Sequence, residues 1–381
     1  MRPIPDQFLQ APAVTPRLIS DRELSFTLHI QIMTAYLGGG VQAGASDPLT
    51  PFRGSSIRGQ LRWWWRATRG AGMDIASLRK HEGETWGATD RASPIRVEVL
   101  NANLGRRIAA KRIESGKPVF EQPAYVLFPA QSETPGSIYK GGSFDLRFTL
   151  PKNLADDLDA ALRHWISLGG LGSRTRRGCG ALYCAEYAGA KWCNPADLMS
   201  PTAPARWPVL KGSRVIAGPA MGWHEAWIEA VQVLRDYRQQ RTRDRGRSLW
   251  PEPDAIRRLR QRRSLRHSQD VTTGDFFPRS TLGLPIIFHF KDSRDGDPAD
   301  NSLLVDQEVD RMASPVIVKA MALDERQAVP VIVALAAPRA PSLLLRQAHA
   351  ADLPVEPGSM DVIGGLLDRA RQRWGGQVFP L

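Results

Sequence analysis

Hydrophobic and polar residues alternate from Leu24 to Ile32, with Leu24, Phe26, Leu28, Ile30 and Ile32 on one face and Ser25, Thr27, His29 and Gln31 on the other. That period of two predicts a half-buried strand whose polar face is left to meet a ligand. After a flexible glycine loop over 36–44, the period changes. Ile57, Leu61 and Trp64 recur at spacings of four and three, which predicts a helix over 53–69 with Ser55 or Ser56 as its cap. Strands follow around Pro94 to Leu100, Ala124 to Phe128 and Phe144 to Leu150, with a basic, glycine-containing segment through Arg106, Arg107, Lys111 and Arg112 before the second of them. Leu154, Leu158, Leu162 and Trp165 mark a second helix headed by Asp156, Asp157 and Asp159, where negative charge suits the helix dipole. Ala181 to Tyr187 has strand character. Strand, helix, strands, helix, strand is met most economically by a sheet backed on one side by two helices, an α+β fold of the ferredoxin or RRM type.

The prolines at 195, 201, 204 and 208 read as a junction. Beyond them come a strand over Val209 to Ile216 and an apolar helical stripe of Trp223, Trp227, Val231 and Leu234. Trp250, Pro251, Glu252 and Pro253 form a rigid break between two basic helices. Leu284 to Phe290, Ser314 to Leu323 and Val329 to Ala336 are predicted strands, and Met360 to Trp374 is a closing helix. The expected organisation is an arm over 1–20, a first domain over 21–190, a junction over 191–208, and a second domain over 209–381 carrying a basic helical insertion at 235–267. The second domain has the makings of a repeat of the first, although no sequence repeat proves it.

Composition sharpens this picture through charge. The chain has 381 residues and a net charge of +12, and a protein this basic ordinarily meets a polyanion. Arginine supplies nearly all of the positive charge, which favours planar contact with phosphate and stacking on bases; a GC-rich genome would raise arginine as well. Cys179, Cys184 and Cys193 are too few and too poorly spaced for a disulfide framework, and no His/Cys pattern fits zinc. Neither a metal nor another cofactor is expected. A reducing cytoplasm suits this usage, and neither a signal-peptide pattern nor a membrane-length apolar run is read in the sequence.

The most informative stretch is Gly169 to Gly180, with five glycines and three arginines in twelve residues. Gly172, Ser173, Arg174, Thr175, Arg176, Arg177 and Gly178 read as a phosphate-contacting loop, in which glycine lets the backbone approach a ligand and successive amides form an anion nest. A second candidate is the helix over 53–69. Arg58, Arg62, Arg66 and Arg69 form a ridge beside its apolar stripe, and Arg53, Ser55, Ser56 and Arg58 surround its open N-terminal amides. The ridge is equally compatible with a solvated face. Of its tryptophans, Trp64 is expected in the core and Trp63 is available to stack on bases. The third candidate lies between Arg235 and His267, where twelve arginines stand against four acids. Arg243, Arg247 and Arg258 there are expected to contact a nucleic-acid backbone.

Chemistry is less well provided for. His29, on the polar face of the first strand, and His164, on the helix before the loop, are placed to border a bound nucleic acid, as metal-free cleavage would require, and either is equally compatible with a neutral surface or core histidine. Asp47 is a lone loop aspartate that equally well starts a turn. Paired carboxylates, a Walker loop and a nucleophile elbow are not found in the sequence.

The stretches Arg53 to Arg66, Gly170 to Gly180, Arg247 to Arg257 and Leu282 to Phe288 resemble the RAMP superfamily of CRISPR-associated proteins, most closely the first RAMP subunit of the Cmr, type III-B, effector complex. The resemblance runs from Leu24 to about Val333. It implies two ferredoxin-like domains in one body and a non-catalytic RNA-binding subunit of an antiviral ribonucleoprotein. That subunit would sit at the crRNA 3′ end and help to capture target RNA, with crRNA, target RNA and other RAMP subunits as partners. Arg58, Arg62, Arg174, Arg176 and Arg177 are the RNA contacts it implies. The alternative is a metal-independent endoribonuclease that processes crRNA precursor.

Overall fold

The computed structural model describes residues 20–38, 47, 50–131, 137–201, 206–241, 248–263, 274–290 and 296–381. Arg243 and Arg247, the arm over 1–19 and the glycines at 39, 40 and 44 lie outside them.

The first half runs through β1 (Glu23–Ile32), α1 (Gly54–Ala67), α2 (Ile75–Trp86), β2 (Arg96–Asn103), β3 (Gly142–Pro151), α3 (Ala155–Leu168) and β4 (Leu182–Tyr183). The strands pair antiparallel in the order β2, β3, β1, β4. The second half contributes β5 (Val209–Ala217), α4 (Trp223–Arg238), α5 (Glu252–Leu259), β6 (Val316–Ala322), β7 (Gln327–Ala336), α6 (Val362–Trp374) and β8 (Val378–Pro380). Four of its five strands pair in the order β6, β7, β5, β8, again antiparallel, so the strand order of the first sheet recurs in the second; the fifth, Met221–Gly222, pairs with the start of β7. The class is mixed α and β with antiparallel sheets.

The packing explains why β6 and β7 read as unbroken apolar runs. Ile57, Leu61, Trp64 and Trp65 of α1 and Leu158, Leu162 and Trp165 of α3 share one core with Leu28, Ile30, Phe144 and Phe148 of the first sheet. The same core takes in Leu210, Val215, Ile317, Met321, Val331 and Val333 of the second sheet. Alternate residues Val316, Val318, Ala320, Ile332 and Ala334 face the opposite way, onto Trp227, Ala230, Val231 and Leu234 of α4 and Leu366 and Ala370 of α6. The layers are therefore sheet, helices, sheet, helices. The second sheet is buried on both faces, and the first keeps an outer face on which His29 and Arg147 are open to solvent.

A smaller body completes the chain. Ile286–Phe288, Asn301–Leu304, Leu343–Gln347 and Leu353–Val355 form a four-stranded sheet in that order. With α5 it encloses its own core of Ile256, Phe277, Leu284, Leu303 and Leu345. The strand expected at Leu284 to Phe290 belongs to this sheet.

Three expectations are corrected. Ala124 to Phe128 is helical, with α-helix over Ala124–Leu127 and a 3-10 turn beyond, because a short apolar run does not distinguish a strand from one buried helical turn. Ala181 to Tyr187 is a strand only at Leu182–Tyr183. It then turns into a 3-10 helix, which lets the Tyr187 hydroxyl donate to Asp159 at 2.8 Å. Neither Ser55 nor Ser56 caps α1, whose N-cap is Arg53 without a side-chain bond. The serines lie exposed in the first turn.

Candidate nucleic-acid interface

The first turn of α1 leaves the amides of Gly54, Ser55 and Ser56 without intrahelical acceptors, as at any helix start. One turn on, Gly59 has no other part of the chain within 4 Å of where a Cβ would stand. Gly59, Gln60 and Trp63 form one wall of a cleft. Thr175 and Arg176 of the glycine-arginine loop form the other, and Ile317 of β6 lies between them. The Arg176 guanidinium sits 5.3 Å from the centre of the Trp63 ring. Two motifs more than a hundred residues apart in sequence thus meet across a single opening. Trp63 is half-buried and Trp64 and Trp65 are buried, which divides the three tryptophans between cleft and core. Gly59 and Gln60 were not among the sequence candidates, although their spacing from Trp63 puts them on the same helical face.

The loop itself is built against the second sheet. Arg174 has φ of 60° and caps a 3-10 turn over Thr175–Arg177. Arg176 donates to the Ser314 carbonyl, and Arg177 donates to the carbonyls of Val316 at 2.8 Å and Arg176 at 3.1 Å. These arginines thereby satisfy carbonyls of and beside β6, which is an edge strand. In return Trp227 Nε1 donates to the Arg177 carbonyl at 2.8 Å. The glycines serve this contact. Gly178 has φ of +76°, and a Cβ there would stand 2.6 Å from the Trp227 ring and 3.0 Å from the Val318 carbonyl; at Gly180 it would stand 1.9 Å from the Leu171 carbonyl. The close approach that glycine permits is to the protein's own chain.

The guanidinium groups nevertheless lack counter-charge. Among the described residues no ion pair joins Arg174, Arg176 or Arg177 to a carboxylate. Burial, reinforced by Arg238, Arg174 and Arg176, pushes Arg177 down to about 9. Burial also lowers Arg176 and Arg174. Arg174 lies 4.7 Å from the centre of the Phe128 ring, and its Nε is buried without a partner. Such a cluster gains when an anion arrives.

The ridge on α1 is differently employed. Arg62 Nε and Arg66 Nη2 reach Glu82 Oε1 at 2.7 and 2.5 Å, and Arg66 Nε reaches Oε2 at 2.8 Å. Burial pushes the Glu82 carboxyl up, but the hydrogen bonds from Arg66 and Arg62 outweigh it and hold the group below the usual carboxylate range. Arg69 stands 3.8 Å from Asp156, and Arg53 is paired with Asp47 at 2.7 Å. Arg58 makes no ion pair among the described residues. Asp47 also accepts from the Thr50 amide and hydroxyl, as a turn initiator does.

Much of the described part of the basic run holds the small body together. Arg257 lies buried between Asp254 and Asp297, both at 2.8 Å. Arg258 pairs with Asp275 at 2.7 Å, and Arg260 bonds Asn301 and the carbonyls of Leu345 and Ala351. The net charge of the run concealed these partners, because Asp275, Asp297 and Asn301 lie beyond its end and backbone carbonyls carry no charge.

The histidines separate cleanly. His164 is fully buried, its Nδ1 2.8 Å from the Ala160 carbonyl, and burial drives it down to about 4; it is out of reach of RNA. His29 stands on the exposed face of β1 opposite Asp145, with Nδ1 and Oδ1 2.8 Å apart. Among the described residues no group of three or more His, Cys, Asp or Glu is placed to hold a metal ion, and no helix is long and apolar enough to cross a membrane.

Residues 29–183 match the model of the RAMP superfamily. A segment of 139 residues is 30% identical to the CRISPR system Cmr subunit Cmr1-1 of Pyrococcus furiosus, covering 34% of this chain and 39% of that protein. A segment of 163 residues is 26% identical to Cmr subunit Cmr1-2 of the same organism, covering 36% of this chain and 86% of that protein. The alignment to the first of these relatives therefore spans well under half of its length. The crystal structure of Cmr1 from Pyrococcus furiosus in its apo form superposes with a TM-score of 0.51 over 93% of this chain and 98% of that one, at 15% identity. At that identity the likeness is one of fold.

Proposed function

We propose, from the match of residues 29–183 to the RAMP superfamily, that this chain is an RNA-binding subunit of a type III-B CRISPR ribonucleoprotein. It holds crRNA near its 3′ end, helps to capture target RNA, and docks against other RAMP subunits. The observation that carries the reading is the cleft where Gly59, Gln60 and Trp63 of α1 face Thr175 and Arg176. It brings together the Trp63 ring and the Arg176 guanidinium, which has no carboxylate partner among the described residues, one turn along from the open amides at the start of α1. An aromatic ring beside an unneutralised cation is equipment for gripping a single strand by base and phosphate.

The role is binding rather than cleavage. His164 is sealed in the core. His29 has its carboxylate partner in Asp145 on the outer face of the first sheet, away from the Trp63 and Arg176 cleft lining. The test is fluorescence anisotropy of the full chain with single-stranded RNA across a salt series. Arg58→Glu is expected to weaken binding at least tenfold and to flatten the salt dependence by about 0.7 in log-log slope for each phosphate no longer neutralised. Unaltered affinity and slope would remove the reading. Cleavage of repeat RNA in EDTA that disappears in His29→Ala would replace it with the nuclease alternative.

A further inference from the structure

A second opening, which shares no lining residue with the cleft just described, lies beside Phe128. Phe120, Tyr125 and Phe128 form one wall of it, and Gln232, Arg235 and Gln239 on and just beyond α4 form the other. Two of the aromatic rings are unusually bare, Phe128 being 59% exposed and Phe120 36% exposed. A ring that exposed contributes little to the core. Among the described residues no carboxylate lines the opening, and its Arg235 is bonded through Nε and Nη2 to Asp236 Oδ1 at 2.8 and 2.7 Å. It is joined to the loop by Arg174, whose guanidinium lies 4.7 Å from the centre of the Phe128 ring.

We infer that this opening is a nucleobase subsite, in which one unpaired base of the bound RNA stacks on Phe128 while its edge is met by the amides of Gln232 and Gln239 and by Arg235. The inference rests on the RNA reading of the preceding section and extends it to a second, base-contacting site. Three features select a base over an apolar peptide side chain. The wall opposite the rings carries side-chain amides and a guanidinium, which satisfy donor and acceptor edges and are wasted on hydrocarbon. The surroundings are cationic: burial lowers the proton affinity of Arg174 and Arg177, and the nearby Arg238 lowers both further, which suits the phosphates flanking a base. Arg174, stacked on the same ring, links the subsite to the loop, so that consecutive nucleotides of one strand can occupy both openings.

The test measures the full chain against a ten-nucleotide single-stranded RNA and against the same RNA with one position made abasic, scanned along the strand. Stacking of one base contributes a factor of roughly 5 to 160 in affinity. The wild-type chain is expected to lose roughly tenfold at one or two abasic positions. Phe128→Ala is expected to bind the intact RNA roughly tenfold more weakly and to become indifferent to those positions, while Phe128→Trp restores both affinity and position dependence. If Phe128→Ala binds like the wild type and keeps its sensitivity to abasic positions, the subsite is refuted. Should Arg58→Glu then still weaken binding, the RNA function stands without it. Loss of assembly with a neighbouring subunit in Phe128→Ala, with RNA binding unchanged, would overturn the proposal in favour of protein docking.

Discussion

Lys319 Nζ lies 2.8 Å from the Gly169 carbonyl oxygen and 3.4 Å from that of Ile166, so a lysine of the second sheet closes the last turn of α3 where the glycine-arginine loop begins. The side chain is fully buried between the two halves, and burial lowers its amine from 10.5 to about 7. Cationic groups favour helix C-termini, which explains why the position tolerates an amine at all.

That lowered value makes stability depend on pH with a definite sign. Below pH 7 Lys319 is protonated in both folded and unfolded chains. Between pH 7 and 10.5 the unfolded chain binds the extra proton, so the folded state gains as pH rises, by at most about 1.4 kcal/mol per unit. Urea unfolding at pH 7, 8 and 9 should show this rise as a difference between the wild type and Lys319→Met. Equal slopes in the two proteins would contradict the assignment.

Arg177 is expected to matter to the fold more than to RNA. Removing its guanidinium in Arg177→Ala leaves the Val316 carbonyl without its donor and should cost about 1–3 kcal/mol. The salt slope of RNA binding should change less than it does in Arg58→Glu. Denaturant melts and anisotropy on the same two variants decide the matter.

Glu82 holds two arginines of the α1 ridge away from solution. Glu82→Gln should destabilise the protein by about 1–3 kcal/mol, the arginines being exposed enough to recover some hydration. It should also steepen the salt dependence of RNA binding as Arg62 and Arg66 come free. A slope that stays constant would place the ridge outside the RNA path.

Gly178→Ala forces a Cβ to within 2.6 Å of the Trp227 ring at a backbone φ of +76°. Both the clash and the left-handed backbone penalise alanine, and the expected loss is more than ~2 kcal/mol. The indole emission of the variant should change with it, since Trp227 must shift to make room.

What could be read from the sequence was local. The two stripes of α1 are visible from spacing alone, and so are the alternation of β1 and the apolar runs of β6 and β7. The composition of the loop over 169–180 marked it as special, but its direction was not legible. The acceptors of Arg176 and Arg177 are carbonyls 138 and 139 residues further on, and a backbone acceptor carries no side-chain signature. Glu82 was missed for another reason, since its carboxylate sits on a helix whose apolar pattern is weak and does not show which face turns toward α1. The small body of strands around Leu303 and Leu345 escaped notice because its pieces are short and are separated in sequence by β6 and β7, so no periodicity accumulates. Ala124 to Phe128 failed for the opposite reason, since five residues fit either period.

The doubly covered second sheet has a bearing on how the chain is made. On the ribosome the amino-terminal half emerges with the outer flank of α1 and α3 bare, because Ile317, Met321, Val331 and Val333, which cover it, are translated later. Until β7 has cleared the exit tunnel, that flank is an adhesive surface of tryptophan and leucine. Synthesis of this protein should therefore lean on nascent-chain chaperones from the completion of α3 at residue 168 and release them abruptly once residue 336 is free.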